Sequence, residues 1–73
     1  MSAATGSVAV TVNGDDHAVA TGTTVAGLLD TLGVEPRGIA VAVDGEVVTR
    51  RTWPDRVLAA GARVEVLSIA QGG

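Results

Sequence analysis

The segment TTVAGLLDTLG, residues 23–33, has the pattern of one short amphipathic helix. Its apolar residues recur at the i, i+3, i+4 and i+7 positions, which share one helix face: Val25, Leu28, Leu29 and Leu32. Thr23 or Thr24 can cap the first turn with its hydroxyl, and Gly33 supplies the left-handed conformation that ends many helices. Gly27 lowers helix stability by about 1 kcal/mol relative to alanine, and a close approach of the helix to a sheet is one reason for a glycine there.

A β-hairpin pattern precedes the helix. Val8, Val10 and Val12 alternate with small or polar residues, which is the period-two pattern of a half-buried strand. The Asn-Gly pair that follows tolerates positive φ, and residues 13–16 predict a four-residue loop. Because a second β-prone run comes next, residues 8–21 are predicted to form a hairpin.

A second hairpin pattern and a last strand follow the helix. Residues 39–43 carry Ile or Val at every second position, which again predicts a half-buried strand. Asp44-Gly45 is a strong two-residue hairpin turn, and the chain returns through residues 46–48. After a short turn, residues 64–69 form the last predicted strand.

The element order is therefore ββαββ, a short turn, and β. One helix must cover one face of the sheet, because a one-sided apolar face has to be buried. Two hairpins around the helix, with the last strand between them beside the first, form the β-grasp, the ubiquitin-like α+β fold with a mixed sheet on one helix. We accordingly divide the chain into a flexible N-terminal lead-in (1–7), a β-grasp domain (8–70) and a flexible C-terminal tail (71–73).

Composition excludes several classes of function. The chain has 73 residues, which is one small domain. It has no cysteine, which excludes disulfides, thiolate metal sites and thiol nucleophiles, and its one histidine adds little metal-binding capacity. A net charge of −3 argues against nucleic-acid binding. No apolar run approaches the roughly 20 residues of a membrane span, and the first residues do not resemble a secretory signal. We expect a cytoplasmic protein that binds no metal and performs no chemistry alone.

Two ring-bearing side chains have competing interpretations. The chain has one tryptophan, Trp53, and no phenylalanine or tyrosine. Trp53 can anchor a partner, but we favour a role in sealing one end of the core. His17 has no titratable partner nearby that would make it a base, and we interpret it as a surface histidine.

The alternation of the last strand predicts an exposed apolar patch. If Val64 and Val66 face the helix, Leu67 and Ile69 point to the opposite face. Ala40 and Ala42 of the third strand share that face and are expected to complete a flat patch, which is typical of a partner-binding surface. The alternative is a β-bulge near Leu67 that returns Leu67 and Ile69 to the core.

The sequence ends in Gln71-Gly72-Gly73. Glycine loses more backbone freedom on folding than any other residue, so a Gly-Gly end after a strand predicts a mobile tail. Without Cβ atoms, Gly72 and Gly73 can pass through a narrow tunnel and present a terminal carboxylate to an enzyme. The competing interpretation is an ordinary frayed terminus.

Seven segments together resemble the ThiS family, the sulfur carriers of thiamin thiazole synthesis. No segment is specific alone, but their order is, and the resemblance runs from about residue 8 to residue 73. The segments are VTVNG (10–14), TTVAGLL (23–29), PRGIAVAV (36–43), GEVV (45–48), RTW (51–53), GARVEV (61–66) and QGG (71–73).

The resemblance implies a carrier that is a co-substrate of enzymes, not an enzyme. A ThiF-like activating enzyme would adenylate the Gly73 carboxylate with ATP and magnesium, and Gln71 and Gly72 would thread into its site. A persulfide-bearing donor, such as a cysteine desulfurase, would convert the adenylate to a thiocarboxylate. The sulfur would then pass to a ThiG-like thiazole synthase. The ATP site and the persulfide cysteine would belong to these partners, and this chain would hold no cofactor.

Three other functions are compatible with the same pattern. A MoaD-like small subunit of molybdopterin synthase shares the fold and the Gly-Gly end, although such chains are usually longer and lack the block around Trp53. A sulfur carrier for cysteine synthesis or tRNA thiolation is a second possibility. A ubiquitin-like modifier or interaction module is the third, and it differs in class because it is conjugated or bound and carries no sulfur.

Overall fold

The computed structural model describes residues 6–69 and shows a five-stranded sheet with one helix. The elements in chain order are β1 (Ser7–Val12), β2 (Asp15–Ala20), α1 (Val25–Leu32), β3 (Ile39–Val43), β4 (Glu46–Val48), a 3₁₀ turn (Arg50–Thr52) and β5 (Arg63–Ser68). The first strand starts one residue before its predicted start.

The strand order across the sheet is β2-β1-β5-β3-β4. The last strand lies between the two hairpins, parallel to β1 and antiparallel to β3. This is the predicted β-grasp arrangement, and the prediction of the fold is confirmed.

Both hairpins turn through two residues with positive φ. Asn13 and Gly14 have φ values of 51° and 88°, and Asp44 and Gly45 have values of 53° and 84°. Two successive left-handed residues are what a type I′ hairpin turn requires. The predicted four-residue first loop is therefore wrong: the Asn-Gly pair alone reverses the chain, and residues 15 and 16 already pair with β1.

The helix begins and ends where its capping residues predict. The Thr24 hydroxyl accepts a hydrogen bond from the Gly27 N–H at 3.1 Å, and Gly33 has a φ of 70°. The N–H groups of Val25 and Ala26, which have no partner within a helix, donate to the carbonyls of residues 56 and 53 at 2.9 and 3.1 Å. The segment after β4 thus closes the buried end of α1.

Gly27 does not serve a close approach of helix to sheet. A Cβ atom at this position would lie 3.5 Å from the Thr23 Cγ2 and Thr24 Oγ1 atoms, which is ordinary van der Waals contact. Both neighbours belong to the start of the helix, so the suggested packing reason for this glycine is wrong.

The core lies between α1 and one face of the sheet. Its buried residues form one cluster: Val10, Val12, Val19, Val25, Leu28, Leu29, Val41, Val43, Val48, Trp53, Leu58, Ala62 and Val64. Trp53 is buried, and its indole N–H donates to the Val48 carbonyl at 2.9 Å. It therefore seals the core as favoured above. His17 is half-buried on edge strand β2, opposite Val10.

Candidate docking face at the end of the last strand

The side chains of β5 alternate between the core and the surface. Val64 is buried and Val66 is half-buried against the core, whereas Leu67 is 58% exposed. The β3–β5 ladder is continuous from the Ile39–Ser68 pair to the Val43–Val64 pair. An unbroken ladder leaves no bulge between residues 64 and 68, so the alternative in which Leu67 returns to the core is excluded.

The alanines of β3 lie on the same face as Leu67. Ala40 is directly opposite Leu67, and Ala42 is opposite Glu65. Both alanines are half-buried, and directly opposed residues of neighbouring strands point to the same side of a sheet. The ladder continues past β5, because the Ile69 N–H donates to the Gly38 carbonyl at 2.7 Å. Ile69 is 49% exposed.

Val47 is a further apolar residue on this face that the sequence interpretation did not include. It is opposite Ala42 in the β3–β4 hairpin and is 73% exposed. The two-residue Asp44-Gly45 turn fixes the register of that hairpin, so the signal was present in the sequence. We call these five residues the outer patch: Ala40, Ala42, Val47, Leu67 and Ile69.

A groove with a mixed polar and apolar lining borders the outer patch. It has a volume of about 420 Å³, and its lining includes Thr11, Asn13, Gly14, Arg63, Glu65 and Leu67. Leu67 is thus shared between the groove and the patch. The sheet face opposite the helix is apolar towards β4 and the end of β5, and polar where β5 begins beside β1.

The outer patch includes the last residue that the structure describes. β5 ends at Ser68, and Ile69 is the last residue that the structure describes. The predicted sulfur-attachment residue Gly73 and the predicted threading residues Gln71 and Gly72 lie outside the described residues. The structure therefore brings Leu67 and Ile69 together with Ala40 and Ala42, as the alternation predicts.

Within residues 6–69, no three His, Cys, Asp or Glu side chains are grouped in a way that could hold a metal ion. No helix in that range is long and apolar enough to cross a membrane.

Comparison with known proteins identifies the family. The family model of the ThiS family matches residues 9–73, which is most of the chain. The chain belongs to the ThiS family. The ThiS match extends from within β1 through the whole Gln-Gly-Gly end.

Individual ThiS proteins support the same assignment. A sulfur carrier protein ThiS of Thermus thermophilus is 40% identical over 52 residues, covering 71% of this chain and 81% of the relative. The crystal structure of a thiamine biosynthesis protein (ThiS) from Geobacter metallireducens superposes with a TM-score of 0.79 at 32% identity. The superposition covers 90% of this chain and 100% of that one.

Proposed function

We propose that this protein is the sulfur carrier for thiazole formation in thiamin biosynthesis. The observation that carries the proposal is the ThiS family match, which runs to Gly73. The exposed residues Val47, Leu67 and Ile69 of the outer patch support it, because a carrier must dock on enzymes that act on its end.

The proposed chemistry begins at the Gly73 carboxylate. A carboxylate is a poor electrophile, since its negative charge repels nucleophiles and it has no good leaving group. A ThiF-like enzyme, using ATP and Mg²⁺, joins the carboxylate to AMP and releases pyrophosphate. The resulting acyl-phosphate anhydride carries AMP as its leaving group.

Sulfur then replaces AMP. The terminal sulfur of a donor persulfide, such as one formed by a cysteine desulfurase, attacks the Gly73 carbonyl and AMP departs. A partner thiol cleaves the S–S bond of the acyl disulfide, forms a new disulfide with the donor, and releases the Gly73 thiocarboxylate. The thiocarboxylate is a soft nucleophile that delivers its sulfur to a ThiG-like thiazole synthase.

In this proposal the fold presents the C-terminal residues to partner enzymes. The sequence contains no cysteine to carry a persulfide, so the persulfide belongs to a partner. We propose that the outer patch docks on the activating enzyme, which places the narrow Gln71-Gly72-Gly73 tail in that enzyme's site. ATP is then a substrate of the partner, and Mg²⁺ is its cofactor.

The proposal is tested by ATP–pyrophosphate exchange with a ThiF-like enzyme. The full chain should support exchange. A chain that ends at Gly72 should give only the background rate of exchange, because its terminal carboxylate is displaced by one residue. The shortened chain should retain its unfolding midpoint, since β5 ends at Ser68. Equal exchange by both chains would contradict the assignment of Gly73.

A further inference from the structure

The side chain of Asn13 forms a long-range contact with the last strand. Its Oδ1 atom accepts a hydrogen bond from the Val66 N–H at 2.9 Å, and its Nδ2 atom donates to the Val66 carbonyl at 3.2 Å. The two residues are 53 positions apart in the chain. One side-chain amide thus satisfies both backbone groups of one residue in β5.

This contact extends the sheet beyond the end of β1. The Asn13 backbone N–H donates to the Val64 carbonyl at 2.9 Å, after which the chain turns back into β2. No β1 backbone remains beside the rest of β5. The Asn13 amide occupies the place of the missing peptide group, and its donor and acceptor continue the ladder by one residue.

The contact lies near the end of β5, at Val66. Val66 immediately precedes Leu67 of the outer patch, and Leu67 pairs with β3 on the other side. Val66 is therefore held from both sides, by the Asn13 side chain and by its pairing with Val41 of β3. Beyond them, the Ile69–Gly38 hydrogen bond holds the chain on the β3 side.

We propose that Asn13 is a positioning residue that fixes the path of the end of β5, residues 66–69, from which the chain continues to its C-terminal tail. The inference rests on the proposed function, because this path matters only if a partner acts on the end of the chain. Asn13 acts through Val66 on the position of the last described residues, which precede the tail. Displacing these residues lowers the fraction of docked complexes in which the carboxylate reaches the activating site.

The second hairpin provides a matched control. Asp44 occupies the same turn position as Asn13 and also has a positive φ. Its Oδ1 atom accepts a hydrogen bond from the Arg63 N–H at 2.9 Å. The same kind of side-chain contact therefore anchors the start of β5, at the end away from the tail.

Three variants separate positioning from general loss of structure. Asn13→Gly keeps the left-handed backbone without strain and removes both hydrogen bonds to Val66. Asn13→Asp keeps an acceptor for the Val66 N–H but loses the donor to the Val66 carbonyl. Asp44→Gly removes the matched contact at Arg63.

The experiment combines amide hydrogen exchange with kinetics of ATP–pyrophosphate exchange by a ThiF-like enzyme. In Asn13→Gly, exchange of the Val66 amide should accelerate by about tenfold or more through local opening. The kcat of activation should fall by about fivefold with less than about a twofold change in KM, because the docking patch is intact. Asn13→Asp should give an intermediate kcat, and Asp44→Gly should keep the kcat of the natural chain.

The outcomes distinguish this inference from the proposed function. If the natural chain is not activated, the proposed function fails and the inference fails with it. If the natural chain is activated but folded Asn13→Gly or Asn13→Asp retains the kcat of Asp44→Gly, the positioning role alone is overturned. A change confined to KM would likewise overturn it, because it would place Asn13 in docking.

Discussion

The two faces of strands β3 and β5 differ in burial, although both faces belong to the same strands. On β3, Val41 and Val43 are buried under the helix, while Ala40 faces outward and is half-buried. On β5, Val64 is buried and Leu67 is mostly exposed. The difference arises because strand side chains alternate and a single helix covers only one side. Apolar residues on the covered face stabilise the fold, and those on the open face are available to a partner.

The largest expected effect is a difference in stability between two leucine-to-alanine substitutions, one on each face. Leu28→Ala should lower the free energy of unfolding by about 2–5 kcal/mol, since this side chain is fully buried. Leu67→Ala should change it by no more than about 0.5 kcal/mol, because its side chain is on the open face. Chemical denaturation monitored by circular dichroism measures both. Equal losses would mean that Leu67 belongs to the core.

The next largest effect is on binding, and here the open face of the sheet is the sensitive one. Leu67→Asp should leave the unfolding midpoint nearly unchanged but weaken binding to the activating enzyme by about tenfold, which is a typical effect at a central interface residue. Titration calorimetry with the folded variant measures the affinity. Binding as tight as that of the natural chain would remove Leu67 from the interface.

Two further variants sharpen the binding prediction. Val57 is also an exposed apolar residue, 54% exposed, but it lies in the segment that bridges to Thr24, away from the outer patch. Val57→Asp should therefore bind normally. Val47→Asp should weaken binding less than Leu67→Asp, because Val47 lies on edge strand β4, two strands away from β5. Equal weakening by all three would indicate a nonspecific effect of added negative charge.

The smallest expected effect is a gain in stability from a change in the helix, with no change in binding through the open face. Gly27→Ala should raise the stability by about 1 kcal/mol, because alanine favours the helix and its Cβ meets only van der Waals contacts. Affinity for the activating enzyme should not change. Thermal denaturation measures the gain, and a lower melting temperature would contradict the room available at this position.

The fold was predictable because its local signals agree with one another. The period-two strands, the capped helix and the Asp44-Gly45 turn each predict one element, and a one-sided sheet needs the helix. The first loop was predicted too long because Asp15 and Asp16 are also common in turns. Their pairing with β1 depends on how early the Asn-Gly pair reverses the chain.

The candidate site was predictable only where strand alternation determines it. Alternation placed Leu67 on the open face, and the same rule applied across the second hairpin would have found Val47. The contact between Asn13 and Val66 could not be predicted in this way. It joins a turn to a strand 53 positions later, and it exists only because β5 extends past the end of β1.

The intact mass of the chain tests the central claim most directly. The purified chain is incubated with a ThiF-like enzyme, ATP, Mg²⁺, a persulfide donor and a thiol. The account predicts a mass increase that corresponds to the replacement of one oxygen by one sulfur, located by fragmentation at Gly73. The increase should be absent without ATP. An unchanged mass under conditions that activate a known ThiS protein, or attachment of the chain to lysines of other proteins, would contradict the account.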